Sequence, residues 1–317
     1  MIRIRSGDGG PRLTRGDGGP RLRSAALALA ATFAASCAED KGGDVEAAVD
    51  ALNRVAFFPA DAFVAGPDEA AREVRLERAF VIDRFEVTNA EYAAFMAETG
   101  TKGEGVGFLR HWKGGAPPAG LEDHPVVWVS RADAEAFAAW RGMRLPAPLE
   151  WERAARGNAG YRYPWGNPPA PLHANTIELG LFSTTRVGTF ESGRTPSFCY
   201  DLAGNVLEWT SEPSGLVKGG SYWRDEAWAK AYFELAVHPG IRWEDVGFRC
   251  AADAEGYLGR VLPKASAANA AARSSLRRLA ARWGPESAPV LRALTASAGI
   301  PRRIALEMAE AAENPAR

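Results

Sequence analysis

The stretch from Lys218 to Ala229, KGGSYWRDEAWA, gathers the side chains most able to form a site. Gly219 and Gly220 let the backbone turn tightly or approach another group closely, and Ser221, Tyr222, Trp223, Arg224, Asp225 and Trp228 follow at once. A serine hydroxyl becomes a nucleophile only when a neighbouring base takes its proton, and the one histidine placed to fold over Ser221 is His238. None of the four histidines has a second His or a Cys at zinc-ligand spacing, so a zinc site is not expected. Trp223, Arg224, Asp225, Glu226 and Trp228 form the mixture of flat and charged groups that anchors recognition. No catalytic residue is expected here, and the alternative is a solvated loop with a tryptophan or two packed inward.

A core must hold that loop in place, and the composition supplies one. The chain has 317 residues, 46% hydrophobic, with ten tryptophans, enough to bury a sizeable interior as one main domain with appendages. Net charge is −1, so no global field recruits nucleic acid or an anionic membrane, and no nucleic-acid partner is expected. The N-terminus reads as an export signal, residues 1–37: six arginines between Arg3 and Arg23 precede the apolar run from Ala25 to Ala35, too short to span a bilayer. Ala34, Ala35 and Ser36 before Cys37 resemble a bacterial lipoprotein cleavage box, which makes Cys37 the expected lipidation site and the bacterial cell envelope the expected location. Plain secretion and an uncleaved anchor are the alternatives. GDGGPRL occurs at 7–13 and again at 16–22, which a misplaced start codon explains more simply than a function. In an oxidising compartment Cys199 and Cys250 form an even pair that a disulfide would join, the other reading being two buried free thiols.

Residues 38–56 read as a tether and short helix, with Val45, Val49, Leu52 and Val55 at helical spacing. Phe80 to Val87 reads as a strand, and Thr88 with Glu91 as a capping box opening a helix whose apolar face is Tyr92, Phe95 and Met96. The same grammar repeats: Pro125 to Val129 is an expected strand, Ser130 a cap, and Ala134, Phe137 and Trp140 one helix face. From about Tyr161 to Cys250 short apolar runs alternate with Gly, Pro and Asn, which predicts an irregular α+β domain. Trp128, Trp140, Trp151, Trp165 and Trp209 are expected to fill its core, with Arg144, Glu150, Glu152 and Glu208 as paired supports.

FEVTNAEYAAF (85–95), HPVVWVSRADAEAFAAWRGMRLPAPLEWERAARG (124–157), YPWGN (163–167), YDLAGNVLEWTSE (200–212), VKGGSYW (217–223) and VGFRCAAD (246–253) occur in this order. Together they resemble the formylglycine-generating enzyme, or sulfatase-modifying factor, family over residues 57–253. The resemblance implies a variant of the C-type lectin fold. It also implies calcium at a Gly-Asn-x-x-Glu-Trp segment, here with Asn205 and Glu208 as the oxygen donors. A second calcium site, beginning at the position of Asn175, is not expected because Thr189 stands where an Asp is needed. The family's oxidases follow Gly-Gly-Ser-Tyr with two cysteines that bind copper and activate oxygen, and soft Cu(I) requires such thiolates. The matching positions here are Arg224 and Ala229, and Asp245 replaces an Asn ahead of Gly-Phe-Arg. No copper is therefore expected.

Beyond the resemblance, residues 254–317 read as an Ala- and Arg-rich helical extension; between Arg260 and Arg303 two or three short helices are expected, with faces at Leu276, Leu279 and Trp283 and at Val290, Leu291 and Leu294. Its basic surface is either a solvated face or a contact for anionic lipid or a partner. The resulting expectation is an exported lipoprotein whose degenerate domain binds an envelope protein or peptide through Ser221, Tyr222, Trp223, Arg224, Asp225, Trp228 and Asp245. The alternatives are an enzyme of different oxidative or maturation chemistry on the same frame and, third, a formylglycine-generating oxidase.

Overall fold

The computed structural model describes residues 41–103 and 105–315; the export segment and Cys37 lie outside them. In chain order the elements are α1 (Lys41–Asn53), β1 (Val55–Phe58), β2 (Ala62–Ala65), β3 (Arg72–Arg75), β4 (Phe80–Asp83), α2 (Asn89–Thr99), α3 (Arg131–Trp140), α4 (Pro148–Arg156), β5 (Leu207–Trp209), β6 (Leu216–Lys218), β7 (Glu234–Ala236), β8 (Val246–Gly247), β9 (Ala251–Asp253), α5 (Ala254–Val261), α6 (Ala270–Trp283), α7 (Ala288–Leu294) and α8 (Arg302–Glu313). Between α4 and β5 the chain is almost all loop, as its Gly, Pro and Asn content predicts.

One antiparallel sheet, ordered β1-β4-β9, divides the interior. Side chains alternate across a pleated strand, so Val55, Phe57 and Val81 enter one cluster while Ala56, Phe58, Phe80 and Ile82 enter the other. Val45, Ala48 and Leu52 of α1 cover the first side, together with Leu276, Leu279 and Trp283 of α6 and Ile304 and Met308 of α8. The C-terminal segment is thus part of the same core as α1 and the sheet. On the second side α4 contributes Trp151, Ala154 and Ala155. Asp83 ends β4 fully buried, accepting from Arg141 at 2.6 and 3.1 Å and from the Cys250 amide at 3.0 Å. Burial alone would raise its pKa, but the Arg141 and Arg54 guanidinia hold it low, so the ion pair fastens the end of α3 to the sheet.

Both capping boxes form as expected, Thr88 with Glu91 at α2 and Ser130 with Asp133 at α3. The strand expected at 125–129 does not: its ladder stops at one bridge, Thr88 to Pro125, because Trp128 takes a left-handed φ of 62°. The strand beginning at Phe80 ends at Asp83 rather than Val87. Between Arg260 and Arg303 lie the two helices α6 and α7, within the expected two or three, with α5 before them and α8 after them. No helix among the described residues is long and apolar enough to cross a membrane.

Cys199 and Cys250 are free and buried. They belong to different clusters, Cys199 with Phe58 and Trp151 and Cys250 with Val81 and Phe248, so the sheet stands between the two sulfurs. The expected disulfide is therefore absent, and the buried-thiol alternative describes both residues.

Candidate functional site: an aromatic groove at one end of the second sheet

The second sheet, ordered β7-β6-β5-β8, decides which residues meet. β6 runs antiparallel to β5 and β8 runs parallel to it, so the loop leaving β6 and the residues entering β8 lie at the same end. That places 219–224 beside 243–245. Gly219 and Gly220 turn the chain there with φ of 103° and 72°, conformations that side chains rarely adopt. A Cβ on Gly220 would come within 3.0 Å of the Ala229 amide nitrogen, so the turn needs glycine for space as well as for φ.

Ser221 is fully buried, and its hydroxyl donates to Asp245 Oδ2 at 2.8 Å. A hydroxyl spent on a carboxylate that is itself beside Arg224 is a structural bolt, and His238 instead accepts from the Gly240 amide through Nδ1. Tyr222 is buried too, donating to the Glu244 carbonyl at 3.2 Å, and burial pushes its phenol pKa up. Asp225 is exposed and accepts from the Ala227 amide at 3.0 Å, which shapes the turn toward Trp228. Trp228 packs on Phe233 and carries the Arg224 guanidinium 4.6 Å above its ring. Of the seven residues expected to bind a ligand, Trp223, Arg224 and Asp245 line a groove, Ser221, Tyr222 and Trp228 each contact one of those three, and Asp225 shapes the turn.

The groove has a volume of about 360 Å³ and is lined by Trp128, Trp223, Arg224, Trp243, Glu244 and Asp245. Trp223 is 41% exposed, Trp243 37%, and Phe182, whose ring lies 5.6 Å from that of Trp223, 53%. Trp128 was expected in the core, as were Trp151 and Trp209, which are there. Its position in the groove follows from the left-handed backbone, fixed by its amide donating to the Trp243 carbonyl at 3.0 Å and its carbonyl accepting from Leu109 at 3.0 Å. Phe182 also has positive φ, 51°, so two bulky residues at this one rim carry backbone strain, as side chains held for a task often do. Nothing in the sequence announces a positive φ. Trp243 and Glu244 were findable, since they immediately precede Asp245.

The expected calcium donors are occupied by protein groups. Both Glu208 oxygens are taken, by Arg249 at 2.6 and 2.7 Å and by the Trp151 indole at 2.8 Å, and all three side chains are fully buried. Asn205 Oδ1 accepts from Asn175 at 3.2 Å and from the Thr185 amide at 2.9 Å, while its Nδ2 donates to Glu86 at 2.6 Å. A carboxylate already forked by a guanidinium does not fit a calcium ion, which needs that same lone-pair space and no adjacent cation. No group of three or more His, Cys, Asp or Glu side chains shaped to hold a metal occurs among the described residues. The cluster is instead crowded with acid. Glu86 is raised well above a normal carboxyl by burial and then by Asp201 and Glu208, and burial pushes Asp201 up to about 6.

Copper does not fit the loop either. Position 224 carries a guanidinium, and Ala229 is buried in a small apolar cluster with Ala174 and Ala203. The two thiols among the described residues sit in the core; burial pushes that of Cys199 up to about 11 and raises that of Cys250 as well.

The model of the sulfatase-modifying factor enzyme 1-like domain matches residues 41–254. The chain belongs to this family. The match takes in α1 and the first residues of β1, upstream of the boundary at 57. The formylglycine-generating enzyme of Thermomonospora curvata is 33% identical, with the alignment covering 61% of this chain and 88% of that one. The inactive C-alpha-formylglycine-generating enzyme 2 of Mus musculus is 34% identical over 58% of this chain and 78% of its own. PvdO from Pseudomonas aeruginosa superposes with a TM-score of 0.52 over 63% of this chain and 94% of its own, at 24% identity, which speaks for the fold. The α+β architecture is thus the family's C-type-lectin-like fold, with four helices following the second sheet.

Proposed function

We propose that this chain is a recognition member of the sulfatase-modifying factor family, binding a protein or peptide at the cell envelope through its aromatic groove instead of oxidising a cysteine. One observation carries the reading. Arg224 and Ala229 stand where the family resemblance expects two thiols, and Arg224 lines a groove with three indoles while Ala229 is buried in a small apolar cluster with Ala174 and Ala203. Half-exposed indoles beside an arginine make the kind of surface in which a few anchors dominate affinity. The mouse relative whose name marks it as inactive indicates that the frame is kept where that activity is not. Envelope placement draws on the N-terminal sequence and Cys37 alone.

The test is capture of envelope proteins by the purified chain and by Trp223→Ala with Arg224→Ala. Trp223 touches Phe182 and Tyr222 at its ring, contacts worth about 0.5–1.5 kcal/mol each. At roughly 2–4 °C per kcal/mol the double variant should stay folded. Loss of specific partners with a native-like melting curve supports the reading. Retention of every partner by the folded variant contradicts it.

A further inference from the structure

We propose that Arg224 is a carboxylate anchor, and that the groove takes a peptide C-terminus, a monoanionic carboxylate borne on an apolar chain. This rests on reading the groove as a recognition surface and names what it recognises. The pointer is an unspent donor set. Arg224 Nε is buried with no hydrogen-bond partner, and among the described residues its two Nη groups donate to no protein acceptor. It forms an ion pair with Asp245, but Oδ2 lies 3.7 Å from Nε, beyond hydrogen-bond distance, and that oxygen already accepts from Ser221 at 2.8 Å. Arg249, beside the second sheet, is treated differently: it spends Nε and Nη2 on Glu208 and other Nη hydrogens on backbone carbonyls.

Arg224 is nonetheless held in place. Its amide donates to the Ser221 carbonyl at 3.0 Å, its carbonyl accepts from Ile177 at 3.0 Å, and its guanidinium lies over the Trp228 ring. A planar fork fixed in advance and left without acceptors on a groove wall matches a carboxylate, which accepts two parallel N–H bonds. The indoles of Trp128, Trp223 and Trp243 then cover the apolar chain behind it. Charge selects the anion. Glu244 and Asp245 share the lining with Arg224, while Arg110 is drawn over the Trp128 ring at 5.4 Å. The two carboxylates oppose a phosphate dianion about twice as strongly as a carboxylate monoanion, so the monoanion is the favoured partner of the guanidinium.

Titration of the ¹⁵N-labelled chain with sodium hexanoate, hexanamide and inorganic phosphate, followed at the arginine Nε–H and tryptophan Nε1–H resonances, tests this. Hexanoate should shift the Arg224 Nε–H and Trp223 Nε1–H signals saturably, with hexanamide and phosphate at least about tenfold weaker. Arg224→Gln should weaken hexanoate by a similar factor, and Arg224→Lys, which keeps the charge without the fork, should fall between; the amide spectrum of each variant reports whether it is folded. Equal binding of hexanoate and hexanamide at Trp223 overturns the anchor while leaving an apolar recognition groove intact. Preference for phosphate, silence of the Arg224 signal, or unchanged hexanoate binding in folded Arg224→Gln each overturns it as well. Loss of envelope partners in the double variant is the separate measurement on which the groove reading stands.

Discussion

Replacing Asp201 by Asn should stabilise the protein at neutral and alkaline pH and do little in acid. Asp201 is buried, and its Oδ2 accepts from the Gly188 amide at 2.7 Å. Burial lifts its pKa from an ordinary 3.8 to about 6, against the pull of the Gly188 bond and Arg249. The folded chain therefore holds the proton more tightly than the unfolded one. The stability this contributes is complete below 3.8 and is lost as pH rises through about 6. At pH 8 the ionised carboxylate costs roughly 3 kcal/mol at most, from 1.36 kcal/mol per pKa unit. Asn keeps the acceptor for Gly188 and suits the positive φ of 55° at this position better than most residues. A gain of about 1–3 kcal/mol, or a melting temperature higher by several degrees, is expected at pH 8, shrinking toward zero by pH 4. Calorimetry of both proteins across that range is the assay. Destabilisation by Asp201→Asn at pH 8 would refute the reasoning, since it would mean that the carboxylate is needed in its charged form, as beside a bound cation.

The same crowding sets two further outcomes for Glu208. Glu208→Gln should cost about 3–5 kcal/mol, because it leaves Arg249 charged and buried without its counter-ion, and the loss should be equal with and without calcium chelator. Chelation should leave the wild-type melting temperature unchanged; a fall that Glu208→Gln abolishes would restore the calcium site. If the export reading holds, Cys37→Ala should move the chain from the membrane to the soluble fraction, and unchanged fractionation would count against lipidation at that residue.

What the sequence made legible was local. Thr88, Ser130 and their acidic partners three residues on announce two helix starts, and both boxes close. The ion-paired supports are also where charge next to tryptophan implies them, Arg144 with Glu150 and Glu208 with Arg249. Long-range decisions were hidden. The basic run to Arg303 looked like a free charged face because its counter-ions come later: Arg273 and Arg303 reach Glu307, and Arg292 reaches Glu313. Trp128 reads like Trp151 and Trp209 in a list of tryptophans; only its φ and the Trp243 carbonyl that fixes it turn it outward. The groove could be guessed from Trp223 and Arg224, but that Ser221, Tyr222 and Trp228 support it from below depends on the mixed pairing of β5 with β6 and β8.

The most direct measurement is mass spectrometry of a sulfatase-type cysteine peptide incubated with the purified chain, Cu(I) and oxygen. With a guanidinium at 224 and a buried methyl at 229, the peptide cysteine should be recovered unchanged at all times and enzyme concentrations. Copper-dependent conversion of that cysteine to formylglycine would contradict the account.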